Sequence, residues 1–69
     1  MRNKKHDRYY AIQAYQILAK MTDKDVAKIL GISLRTYKDK ISGYSDFTSA
    51  QGKKLSQIFG VSQDEIFLT

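Results

Sequence analysis

Apolar positions in this chain recur three and four residues apart and show no sustained alternation, so the pattern predicts helices and no strands. Over residues 8–20, Tyr10, Ala14, Ile17, Leu18 and Met21 fall on one stripe, and Tyr9 and Ile12 point away from it. Thr22 then offers its hydroxyl to a second helix over 23–30. Asp25 takes the acidic place of a capping box, and Met21 is set to staple to Val26. Val26, Ala27, Ile29 and Leu30 make the apolar face of that helix, and Gly31 supplies the left-handed residue that closes it. Ser33 caps a third helix over 34–42, stapled by Ile32 and Tyr37 and stopped by Gly43. Phe47, in the connector that follows, is predicted to enter the core. Thr48 and Gln51 form the next capping box and open a fourth helix over 49–59, with Leu55, Ile58 and Phe59 facing inward. Gly52 lies on the same side. A glycine inside a helix costs about 1 kcal/mol against alanine, so it predicts close packing there. Gly60 ends this helix, and Val61, Ser62, Glu65 and Ile66 staple and cap a last short one over 63–67. The expectation is an all-α, compact five-helix bundle.

Composition narrows the chemistry. The chain has 69 residues, which allows one small domain. Its hydrophobic fraction of 42% and charged fraction of 28% fit a folded domain rather than a disordered one. With no cysteine there is no disulfide framework or zinc finger, and the single histidine, His6, gives no metal site. No apolar run reaches the ~20 residues of a membrane helix, and no apolar segment follows the charged start as in a signal peptide, so the reading is a cytoplasmic protein. Residues 1–8 hold four of the twelve basic side chains and read as a flexible, solvated arm ahead of a folded domain over 9–69; the functional alternative is an arm that follows a nucleic-acid groove. The seven carboxylates are scattered and no glycine-rich phosphate loop is present, so neither an enzyme nor a cofactor is expected. A net charge of +5 points instead to a polyanionic partner.

Residues 22–43 organise the rest. Two short helices joined by a tight turn at Gly31 make a helix-turn-helix, whose second helix can enter a DNA major groove. At about 100° per residue, Tyr37 and Ile41 share the inward side of the third helix. Arg35, Lys38 and Ser42 face outward together, Asp39 lies beside them, and Leu34 sits at the border. Arg35 can fork onto guanine O6 and N7, Lys38 can reach a base edge or a phosphate, and Leu34 can touch a thymine methyl. Ser33, Thr36, Tyr44, Lys53 and Lys54 can bind phosphates from the flanks.

The run T-x-x-x-V-A-x-x-L-G-I-S, then T-Y-x-x-K-I-x-G and a downstream Phe-Thr, resembles the Cro and phage-repressor helix-turn-helix family, the Xre-like type, over roughly residues 14–68. The resemblance implies a lambda-repressor-like five-helix domain that binds operator DNA, often as a homodimer, in a phage, prophage or bacterial gene switch. Three positions depart from that pattern: Asp23 stands where many relatives carry glutamine, Leu34 replaces a polar residue, and Asp39 puts a negative charge on the reading face. Those acids, with Tyr9, Ile12 and the apolar Ile66-Phe67-Leu68, also fit a second reading: an antirepressor-like module that binds a cognate repressor protein.

Overall fold

The computed structural model describes residues 3–68; Met1, Arg2 and Thr69, at the ends of the expected arm and domain, lie outside the described residues. Five helices follow in order: α1 (Tyr10–Leu18), α2 (Asp23–Leu30), α3 (Leu34–Ser42), α4 (Ser49–Phe59) and α5 (Gln63–Ile66). The last four begin at hydroxyl caps. Thr22, Ser33, Thr48 and Ser62 each accept the backbone N–H of the residue three positions on, and Thr22/Asp25 and Thr48/Gln51 complete reciprocal capping boxes. Each such cap contributes about 1 kcal/mol. In the first box, the Thr22 N–H bonds hold the Asp25 carboxyl below its usual range. Gly31, Gly43 and Gly60 end α2, α3 and α4 in the left-handed conformation.

The core is built from every helix: Ile12, Val26, Ala27, Tyr37, Ile41, Leu55 and Ile66, with Tyr9, Met21, Phe47 and Phe67 packed against it. The Phe67 ring lies 3.0 Å from where a Cβ on Gly52 would be, so the glycine in α4 does accommodate a close neighbour. The radius of gyration, 11.1 Å, is that of a compact chain of this length.

Helix α1 departs from the sequence expectation. It presents the opposite face to the core: Ile12 is fully buried and Gln16 is 7% exposed, while Tyr10, Ile17 and Leu18 are 64%, 72% and 77% exposed. Tyr9 and Ile12 are therefore core residues and not a partner surface. The reason is that α1 is apolar on both sides, so periodicity alone does not select a face. Tertiary bonding does. The Tyr37 hydroxyl donates to Gln16 Oε1 at 2.7 Å, and Gln16 Nε2 donates to Asp23 Oδ1 at 2.8 Å, so a polar chain, buried at Tyr37 and Gln16 and half-buried at Asp23, ties α1 to α3 and α2. Helix α1 also ends at Leu18, two residues early, with Lys20 in the left-handed region at φ 57°. In α2, Ile29 turns outward although the pattern put it on the apolar face.

The arm departs too. Where a flexible segment was expected, the N–H groups of Lys5 and His6 donate to the Gly43 carbonyl and that of Tyr9 to the Ile41 carbonyl. These bonds satisfy acceptors that the end of α3 leaves open. The His6 ring stacks on Tyr9 with centroids 4.1 Å apart, and its Nε2 lies 2.8 Å from the Ser45 carbonyl oxygen. Gly43 thus has two reasons to be glycine: its φ of 107°, and the His6 carbonyl, with which any Cβ would collide.

Candidate functional site

Helix α3 is fixed from below and at both ends. Tyr37 and Ile41 anchor it in the core, Ser33 caps its start, and the N-terminal segment bonds to its end. Burial, with the charge of Asp23 as the smaller cause, pushes the Tyr37 phenol well above its ordinary 10, so it stays a neutral donor to Gln16. Of the outward set read from the sequence, Arg35 and Lys38 are exposed and Ser42 is half-buried; Thr36 is exposed as well, and Leu34 is at the border with 38% exposure.

The expected residues do not form one continuous patch. Leu34, Arg35 and Lys38 line a shallow groove together with Asp39. Lys38 and Ser42 line a second cleft with Arg8, Gln13, Asp23, Tyr37 and Ile41. Ser33 is exposed, but its hydroxyl accepts the Thr36 N–H at 3.1 Å and donates to Thr36 Oγ1 at 2.8 Å, so it works first as a cap. Tyr44 is half-buried at the helix end. Lys53 and Lys54 are exposed on α4 and line neither recess along α3.

Three cations missed by the sequence reading adjoin the site. Arg8 sits beside the last turn of α3, its guanidinium donating to Gln13 Oε1 at 3.1 Å and Ser42 Oγ at 3.4 Å. Its sequence signal was concealed by its assignment to a flexible arm. Lys24 and Lys28, exposed one turn apart on α2, flank a groove that Ile32 and Leu34 also line. Their i, i+4 spacing opposite Val26 was the available signal. The result is a surface with Arg8, Lys24, Lys28, Arg35 and Lys38 around α3 and two acids, Asp23 and Asp39, among them. Asp23 is not a bare charge: it accepts from Gln16.

The charge of such a surface suits an anionic polymer. Among the described residues no cluster of three potential metal ligands occurs, and no helix is long and apolar enough to cross a membrane. No family model, curated protein or solved structure matches the chain.

Proposed function

We propose that this protein is a sequence-specific DNA-binding regulator, of the kind found in phage and bacterial gene switches, that reads the major groove with α3. The observation that carries this reading is the outward face of α3. Arg35 and Lys38 project together from a helix whose other face, Tyr37 and Ile41, is sunk in the core. An α-helix with its side chains is about 10–12 Å across, which fits a groove ~12 Å wide, and the nine residues of α3 run about 13 Å along it. Arg35 forks onto a guanine, Leu34 covers a thymine methyl, and Arg8, Lys24, Lys28 and Lys38 meet phosphates. The mechanism is equilibrium occupancy of an operator. Counterion release supplies most of the affinity, and base contacts supply selection.

Asp39, in the groove between Arg35 and Lys38, favours a second reading in which the same face docks on a basic surface of a cognate repressor. Selection of binding sequences from a random duplex library separates the two. The DNA reading predicts enrichment of a guanine-containing consensus that an Arg35→Ala chain fails to enrich. A library with no enrichment by the wild-type chain rules it out.

A further inference from the structure

Opposite charges line the cleft between α1, the start of α2 and the second half of α3 without meeting. Arg8, Lys38 and Asp23 share it with Gln13 and Ser42, around a volume of about 320 Å³, and Tyr37 and Ile41 close its floor. Among the described residues neither cation is ion-paired with Asp23. Each charge keeps capacity for a ligand. Arg8 commits two of its five N–H groups, to Gln13 Oε1 and Ser42 Oγ, which hold the guanidinium in place. Lys38 is exposed, and its ammonium donates to no described residue. Asp23 is half-buried and accepts from Gln16 through Oδ1. No buried side-chain oxygen among the described residues lacks a partner, so Oδ2, which accepts from none of them, is open to solvent. We propose that this cleft binds a guanine nucleotide, with the phosphate between Arg8 and Lys38 and the base edge on Asp23.

Three features select this ligand. The first is charge. Two cations facing one carboxylate call for a net anionic molecule that also carries N–H donors. A phosphate monoester brings about −1.5 to −2 at pH 7, and the guanidinium fork matches its oxygens. An amino-acid zwitterion has no net charge and would leave one cation unanswered. The second is the acceptor. An ionised carboxylate takes donors only. Guanine presents N1–H and its N2 amino group side by side on the Watson–Crick edge, whereas adenine sets an acceptor nitrogen beside its amino group, which a carboxylate repels. The third is size. The cleft lies at the low end of the ~300–1,000 Å³ range of small-molecule sites, room for one nucleotide. Base-paired DNA cannot offer the same contact, because its guanine edge is already taken by cytosine. The site is thus one for a free nucleotide and is distinct from duplex reading by Arg35.

The test is titration of the full chain with guanosine monophosphate, adenosine monophosphate and inorganic phosphate, followed by amide NMR spectra at constant ionic strength. It is done without DNA, so its outcome is separate from that of the DNA reading. The guanine nucleotide should shift the amides of Gln13, Asp23, Lys38 and Ser42 along a saturating curve, about tenfold or more tighter than the adenine nucleotide or phosphate. Asp23→Asn keeps an oxygen for Gln16 and should leave the circular dichroism spectrum unchanged. It also removes a negative charge from beside the phosphate, so charge alone would strengthen binding. The proposal requires the opposite: guanine-nucleotide binding weakened about tenfold and its preference over adenine lost, with inorganic phosphate bound as well as before or better. Lys38→Gln should weaken the nucleotide and phosphate alike. No saturable shift up to about 10 mM, equal binding of the two nucleotides by the wild-type chain, or an Asp23→Asn chain that holds the guanine nucleotide as tightly as wild type overturns the proposal.

Discussion

Tyr37→Phe removes one hydroxyl from the centre of the molecule, and the structure sets its cost. That hydroxyl is fully buried and donates at 2.7 Å to Gln16 Oε1, itself inside the protein. Without it the amide oxygen is left buried with no donor, a loss of roughly 1–3 kcal/mol. A 69-residue domain has a total stability of roughly 3–10 kcal/mol, so the effect is large. Gln16→Leu has a comparable cost for the mirrored reason: the phenol loses its acceptor, and Asp23 loses the donor at 2.8 Å. The double variant removes both partners, leaving apolar groups of similar shape, and should be less destabilised than the sum of the singles by about 1–2 kcal/mol. Urea denaturation at pH 7 followed by circular dichroism measures all four corners of the cycle. In thermal melts the single variants should fall by roughly 5–15 °C. A Tyr37→Phe chain within about 0.5 kcal/mol of wild type, or strictly additive costs, would refute the claim that this bond orients α1 against α3.

Other perturbations have equally definite outcomes. Tyr37 keeps its proton in the folded state above pH 10, where the unfolded chain releases it, so its stabilisation is complete below pH 10 and falls above it by up to about 1.4 kcal/mol per pH unit; denaturation series from pH 9 to 11 should show a shallower alkaline fall for Tyr37→Phe. Asp25 behaves oppositely: its native carboxyl lies below the usual 3.8, so its contribution is present above that pH and disappears as pH falls through the native value, and Asp25→Asn should flatten the acid limb below about pH 4. Lys20→Gly relieves a side chain at φ 57° and should raise stability by up to about 1 kcal/mol in urea titrations; a loss would mean that the turn after α1 is not strained. Asp39→Asn should strengthen non-specific duplex binding, and adding Asp23→Asn, which keeps an oxygen for Gln16, should strengthen it further and steepen its fall with salt; on the repressor reading the same double variant weakens the complex instead.

The parts of the fold legible in the sequence are those governed by local chemistry. Thr22, Ser33, Thr48 and Ser62 mark helix starts because a hydroxyl and an N–H three residues on suffice, and Gly31, Gly43 and Gly60 mark ends because a positive φ suffices. The orientation of α3 followed from its mixed composition, which puts Tyr37 and Ile41 on one side and Arg35 and Lys38 on another. Helix α1 defeated the same method. With Ile, Leu and Tyr on one side and Ile12 on the other, no local rule says that Gln16 goes inward; that depends on Tyr37, 21 positions later. Lys5 and His6 were read as solvated because their backbone partner, Gly43, is remote in sequence and invites them only once α3 has ended there. Arg8 was missed as a site residue for the same reason.

The central claim is that α3 selects a DNA sequence through Arg35. Fluorescence anisotropy of the wild-type and Arg35→Ala chains on a duplex enriched from a random library, and on a scrambled duplex of equal length, tests it most directly. Wild type should prefer the enriched duplex, and Arg35→Ala should lose roughly 1–3 kcal/mol of that preference, the worth of a bidentate base contact, while its binding to the scrambled duplex falls far less. Equal affinity of the wild-type chain for the two duplexes, or an Arg35→Ala chain with its preference intact, would contradict it.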